Sequence, residues 1–429
     1  MRHRIVTLAA AALAVSSVSA AEEGHWSRFR GPNGTGISDA ATVPVTWTDA
    51  DYNWKITLPG TGHSSPVLWG NRIFLTCGDA ETARRIILCL NTAAGRTLWR
   101  REYPSETFNQ HRDNSFATAT PAADSAGLVL TWTTPEEILL VALDPDGREV
   151  WRRDFGPIVA AHGSGTSPVI VGDLVVLTND QEDMNRMPWD RIIGSRPVGK
   201  SSLIAVDRKT GATRWQLERR TALAAYSTPC LYRPDGGPAE LIVTSTAHGI
   251  TSVDPATGKV NWEVDKIFLD RCVGSPVTAP GLVLAGYGFG TRGSLYVAVR
   301  PGSRAAGVGA AIAYQLKKPV PLVPTPIVKD GRLFLWHDDG RVECRKVETG
   351  EAIWSERVGG SYYGSPVWVA GRLYCISRKG EVVVLAASDE FKLLGRVELG
   401  EPSYATPAVS DGVMYLRTLS RLFSLGGKK

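Results

Sequence analysis

Apolar residues in this chain fall in short runs of about five, separated by Gly, Asn and Asp turns, and no stretch shows the 3.6-residue recurrence of an amphipathic helix. A small hydroxyl residue followed by proline precedes each group of runs: Ser65-Pro66, Thr120-Pro121, Ser167-Pro168, Thr228-Pro229, Ser275-Pro276, Thr325-Pro326, Ser365-Pro366 and Thr406-Pro407. The intervals between these marks, 55, 47, 61, 47, 50, 40 and 41 residues, define a repeat. After each mark come a short strand, a polar turn such as Gly70-Asn71 or Gly172-Asp173, and an apolar run, for example residues 73–77, 174–178 and 333–337. A third run, a Gly turn and a fourth run carrying an aromatic complete the unit. Trp99 follows Gly95, Trp151 follows Gly147, Trp215 follows Gly211, Trp262 follows Gly258 and Trp354 follows Gly350. Tyr314 takes the Trp position in the fifth unit, and the seventh unit is degenerate around residues 393–399.

Four short strands per unit predict an all-β fold, an eight-bladed β-propeller with four-stranded antiparallel blades. A lone twisted sheet of four strands cannot cover its two apolar faces, whereas a closed ring gives every blade two neighbours. Trp is suited to wedge between sheets while its N–H finds a partner. Pro is tolerated where an inner strand begins. The eighth unit supplies three runs, and an orphan run at residues 53–58 stands ahead of the first mark. We therefore expect the N-terminal strand to complete the last blade as its outer strand.

The N-terminus has a basic start (Arg2, His3, Arg4), an apolar stretch at residues 5–15 and a small-residue exit, Val18-Ser19-Ala20, the layout of a cleavable secretory signal. The expected division is a signal peptide at 1–20 and a single propeller domain at 21–429, exported to the periplasm or the extracellular space. The apolar stretch is shorter than the roughly 20 residues a spanning helix needs. Forty-eight basic and forty-three acidic residues give a net charge of +5, or +3 once Arg2 and Arg4 are removed. That balance points to neither nucleic acid nor an anionic membrane. The six cysteines lie far apart beside apolar runs with no CxxC spacing, which predicts buried free thiols, with Cys77 and Cys89 the pair best placed for a bridge if one forms.

The segment Ala205-Val206-Asp207-Arg208-Lys209-Thr210-Gly211-Ala212-Thr213-Arg214-Trp215 resembles the Ala-x-Asp-x-x-Thr-Gly-x-x-x-Trp docking signature of the pyrroloquinoline-quinone-like (PQQ-like) propeller repeat proteins, and residues 254–262 and 347–354 match it in part. The start Trp26-Ser27-Arg28-Phe29-Arg30-Gly31-Pro32-Asn33-Gly34, with Asn114-Ser115-Phe116-Ala117 and His162-Gly163, is similar to exported bacterial propellers described only as quinone-binding-like. The resemblance implies the fold over the whole mature chain and leaves the activity open. In quinoprotein alcohol dehydrogenases it implies PQQ with calcium in the channel, often under an adjacent Cys-Cys pair, which this chain lacks. The outer-membrane assembly lipoprotein, a binding propeller, carries a lipid-modified Cys that is also missing here.

In a propeller the connections into each inner strand share one face with those between second and third strands. The residues ahead of the marks, His63, Asn114, His162, Tyr226, Arg271, Tyr362, Tyr363 and Tyr404, should therefore converge at the channel mouth. Asn179, Asp180 and Gln181, with His337, Asp338 and Asp339, come from the other loops. Such amide, imidazole, phenol and guanidinium groups suit a polar or anionic ligand; equally, they can line a wet channel. Gly194 to Ser201 spells a phosphate-loop motif, but a third blade strand follows it where a helix is needed, so nucleotide binding is not expected. The leading expectation is a monomeric binding or scaffold propeller for a protein partner or small polar ligand. The alternatives are a quinone-dependent dehydrogenase of alcohols or sugars and a hydrolase.

Overall fold

The computed structural model describes residues 25–183, 199–288, 293–303, 307–317 and 319–427. The expected signal segment and most of the phosphate-loop match lie outside them. Eight four-stranded antiparallel blades follow one another along the chain, the first seven each built from four consecutive strands running from the channel outward. The first blade comprises Val67–Trp69, Arg72–Gly78, Arg85–Asn91 and Thr97–Tyr103. The seventh unit, expected to be degenerate, forms a full outer strand at Leu393–Glu398. Its Trp position holds Gly395, whose missing Cβ leaves room for the Val45 carbonyl of an N-terminal segment.

The core is a series of layers between blades. Val67, Phe74, Ile87 and Cys89 of the first blade pack on Leu128, Leu130, Val141 and Leu143 of the second. Val129, Leu140 and Ala142 on the other face of the second blade meet Val175, Ile204 and Val206 of the third. All six cysteines are buried as free thiols, so the Cys77–Cys89 pairing does not form.

The docking signature is explained by its local geometry. Asp207 Oδ1 accepts the backbone N–H groups of Lys209 and Thr210 at 3.0 and 2.9 Å and the Thr210 hydroxyl at 3.0 Å. That turn delivers Gly211 at φ 70° against the indole of Trp151 from the preceding blade, where a Cβ would lie 2.7 Å from the ring. The Trp151 N–H donates to the Arg208 carbonyl at 3.0 Å in the same turn. The contact recurs from blade to blade: Trp99 donates to Pro145 O at 2.8 Å, Trp215 to Pro255 O at 2.9 Å and, as expected of the stand-in, Tyr314 to Val347 O at 2.7 Å.

A second ring of bonds lies at the channel. Ser65 N–H donates to Thr120 Oγ1, Thr120 to Ser167, Thr228 to Ser275, Ser275 to Thr325, Thr325 to Ser365, Ser365 to Thr406, and Thr406 back to Ser65, all at 2.9 or 3.0 Å. In these seven contacts the hydroxyl of one mark serves the backbone of the blade before it. Proline directly after the donor has no N–H to compete.

Two N-terminal strands complete the ring. β1 (Ile37–Ser38) pairs in parallel with the inner strand Val367–Val369, on its channel side. β2 (Tyr52–Thr57) pairs antiparallel with Arg421–Gly426 as the outer strand of the eighth blade, one residue from the expected span. Trp54 on β2 then docks on Gly95 of the first blade and donates to Thr92 O at 2.9 Å. The preceding segment crosses the channel, bonding inner edges as it goes. Trp26 O accepts from Leu68 N, Ser27 O from Ala123 N, Asn33 Oδ1 from Leu231 N and Gly36 O from Trp368 N, at 2.7 to 2.8 Å. Arg30, fully buried, donates to Thr325 O and Pro326 O at 2.7 and 2.9 Å. Burial lowers its pKa to about 9, which leaves it charged at neutral pH.

The closing contact can be tested by a double-mutant cycle. Gly95→Ala places a Cβ 2.8 Å from the Trp54 ring, and Trp54→Ala removes a half-buried indole; each should cost about 2 kcal/mol. In the Trp54→Ala background the Gly95→Ala cost should fall by at least half, read from thermal midpoints. Additive losses would contradict the docking.

Candidate functional site

The segment that crosses the channel turns its mouth into a blind well of about 420 Å³, with Phe29 and the ring hydroxyls at the base and the connections into the inner strands as walls. Of the residues expected at the mouth, His63, Asn114, His162, Tyr226, Arg271 and Tyr404 line this well, together with Tyr363. Each blade-to-blade connection contributes because the ring presents all of them to one axis.

Seven of the expected residues do not line it. Tyr362 is fully buried edge-on to Trp336 at 5.2 Å, because consecutive residues of an extended segment face opposite ways and Tyr363 takes the channel side. Gln181 is buried and spends its side chain on local structure: Oε1 accepts Val159 N at 2.7 Å, and Nε2 donates to Asn179 Oδ1 at 2.9 Å. Asp180 is buried near Arg219 and His248, and burial raises its pKa to about 6. Asn179, Asp180 and Gln181 thus serve the interior of the third blade's loop; residues 184–198 of that loop lie outside the described residues. Asp338 acts indirectly, its carboxylate accepting the N–H groups of Leu322 and Val323, which line the well. His337 is buried beside Glu343 at 3.4 Å, and Asp339 accepts from Arg357 at 2.9 Å.

The well also holds groups that the sequence reading passed over: His111, Asp113 and Asp270. Arg378 stands at its edge, packed on two of its lining residues. The long first interval, 55 residues, signals the connection that carries His111 and Asp113. Arg378 occupies in the seventh unit the turn that His337 to Gly340 occupy in the sixth.

Two guanidinium centres set the electrostatics. Arg271 bonds Glu182 Oε1 at 2.7 and 3.2 Å and lies 3.8 Å from Asp270. Burial works against its charge, but Glu182 outweighs that and raises its pKa. The Arg378 guanidinium lies 4.5 Å from the Tyr363 ring and 5.2 Å from that of Tyr404, and it pairs with Asp113. His63 stacks on Tyr404 with centroids 4.2 Å apart. Burial, then Arg417, lowers the pKa of His63 to about 3, and burial, then Arg271, lowers that of His162 to about 4. Both imidazoles are therefore neutral at physiological pH. Burial likewise raises the pKa of the Tyr226 phenol, so it stays protonated. The site offers neutral donors and acceptors around two ion-paired guanidinium groups, an arrangement suited to a polar ligand.

The family described as outer membrane protein assembly factor BamB, a PQQ-like repeat family, matches residues 83–356, 316–393 and 338–425. Among solved structures, the fold is similar to that of BamB from Moraxella catarrhalis, at 16% identity over 86% of this chain and 95% of that one, with a TM-score of 0.59. It is similar to a europium-containing methanol dehydrogenase at 12% identity over 95% and 99% of the two chains, TM-score 0.52. A quinohemoprotein alcohol dehydrogenase from Comamonas testosteroni gives 12% identity over 96% and 82%, TM-score 0.51. At these identities the likeness is one of fold. No curated protein matches the sequence.

His63 gives the site a pH signature. Its pKa is depressed on folding, so between about pH 6.5 and about pH 3 the unfolded chain takes up a proton that the folded chain refuses. Stability contributed by neutral His63 is full above pH 6.5 and is lost as pH falls, by about 1 kcal/mol per pH unit. His63→Gln should therefore flatten the decline in thermal midpoint between pH 6.5 and pH 4 relative to the parent. An unchanged slope, or an imidazole titrating near pH 6.5 by NMR, would contradict the assignment.

Proposed function

The chain belongs to the family described as outer membrane protein assembly factor BamB, and on that premise we propose that it is a non-catalytic binding propeller of an exported compartment that holds a polar ligand in the well at its channel mouth. The observation that supports this most is the state of the reactive groups. Seven of the ring hydroxyls accept neighbouring backbone N–H groups, and among the described residues no ring hydroxyl is bonded to an imidazole, as an activated nucleophile would be. His63 is stacked and neutral, and the carboxylates stand beside guanidinium groups. Shape, fixed charge and hydrogen-bonding capacity remain, and these are means of recognition.

Export is supported by the basic, apolar and small-residue succession of residues 2–20. Among the described residues, no helix is long and apolar enough to cross a membrane. A partner protein that presents the ligand on one of its own loops is compatible with the same well.

A quinone-dependent dehydrogenase of alcohols or sugars is the competing reading. Calcium takes six to eight oxygen ligands, with carboxylates, carbonyls and water among them. Asp113 is matched to Arg378, Asp270 lies beside Arg271, and among the described residues no group of three His, Cys, Asp or Glu side chains converges. This donor set does not fit a calcium-bound quinone.

The readings separate in one assay series. Protein purified from its exporting cell and examined by native mass spectrometry should carry a small molecule that is lost when Val273→Trp fills the well. Incubation with pyrroloquinoline quinone and calcium should give no dye reduction with ethanol or glucose. Turnover in that assay, or the same bound mass in Val273→Trp, would overturn the binding reading.

A further inference from the structure

The two charged centres of the well differ in how their counter-ions are held. Glu182, the partner of Arg271, is almost wholly buried, and its own backbone is tied by an N–H bond to Val159 O at 2.7 Å. Asp113, the partner of Arg378, comes instead from the connection between the first and second blades, which runs from Tyr103 to Ala122 with no strand in it. That connection crosses the mouth to reach the seventh blade and is pinned just beyond Asp113, where Asn114 Nδ2 donates to His162 O at 2.7 Å and Ser164 O at 3.2 Å.

The receiving side has contacts of its own that do not involve Asp113. Arg378 sits in a tight turn, its N–H donating to Ser361 O at 2.7 Å, with its guanidinium against the faces of Tyr363 and Tyr404. Two donors of this side meet the two oxygens of one carboxylate: Arg378 Nη2 is on Asp113 Oδ1, and the Tyr363 hydroxyl is on Oδ2 at 3.2 Å. Such a fork, one cation and one phenol, matches a single planar carboxylate.

We propose that Arg378 and Tyr363 form a seat for a ligand carboxylate, which Asp113 of the chain occupies until a ligand displaces it. The proposal rests on the binding reading given above and names its ligand class: a carboxylic acid. Exchanging one carboxylate for another preserves the charge balance of Arg378. The displaced Asp113 gains water, so the exchange asks for no uncompensated ion. Arg271 offers no such exchange, because Glu182 is almost wholly buried and its backbone is tied in place.

The test is titration of the purified full chain with benzoate by calorimetry. Asp113→Asn should bind benzoate at least fivefold more tightly than the parent and Asp113→Ala more tightly still, whereas Asp113→Ala/Arg378→Gln should lose the gain. Saturating benzoate should also speed amide exchange across residues 104–113 of the parent at least threefold. Two Asp113 variants and the exchange measurement on the parent keep the result readable if one variant folds poorly. Equal benzoate affinity in the parent and both Asp113 variants, or inorganic phosphate displacing benzoate at lower concentration than acetate, would overturn the proposal. Benzoate binding that is lost in Val273→Trp but indifferent to Arg378→Gln would sink the seat and leave the binding reading intact. Native protein without a well-bound molecule counts against that reading alone.

Discussion

A sheet of four short strands has two apolar faces and no means of covering either, and the whole molecule answers that constraint. Most interfaces between blades are held twice. On the outside, an aromatic ring lies on the glycine turn of the next blade and its polar tip finds a carbonyl there. At the channel, the hydroxyl of one mark takes the backbone N–H of another. Neither bond is strong by itself, roughly 1 kcal/mol net. Their effect is geometric, since together they fix the angle between neighbours at two radii.

A ring so built has a weak point where the ends meet, and the N-terminal 30 or so described residues are spent on it. β2 supplies the last outer strand, Trp54 supplies the last aromatic dock, and Thr406 returns the hydroxyl ring to Ser65. The stretch ahead of β2 runs through the channel and joins inner edges of blades far apart in sequence. Function follows from this architecture. A through-channel becomes a well, and the connections around its mouth become its walls, which brings a few charged and aromatic side chains together in the proposed site.

Much of this is legible in the chain. Periodicity reveals eight units, the Gly-to-Trp spacing reveals the docks, and a missing strand at one end with a spare run at the other reveals the closure. Convergence of His63, His162, Tyr226, Arg271 and Tyr404 follows from symmetry alone. Other features depend on partners too distant to be read. The Ser or Thr of each mark looks like a turn residue until its acceptor role toward a backbone about fifty positions away is seen. Asp113 reads as one acid in a polar loop, and only the closed ring sets it against Arg378, 265 residues further on. Strand parity accounts for Tyr362, since a shift of one residue sends a side chain to the opposite face. Asn179 to Gln181 lie in the predicted loop but turn inward to satisfy its backbone.

The claim on which the rest stands is that the N-terminal strap closes the ring and floors the well. Limited proteolysis and thermal melting of a chain that begins at residue 59, alone and with a synthetic peptide of residues 25–58 added in trans, test it directly. The account predicts that the shortened chain is cut rapidly within the eighth blade and melts far below the parent, and that the peptide restores both properties. A shortened chain that resists protease and melts with the parent would contradict it.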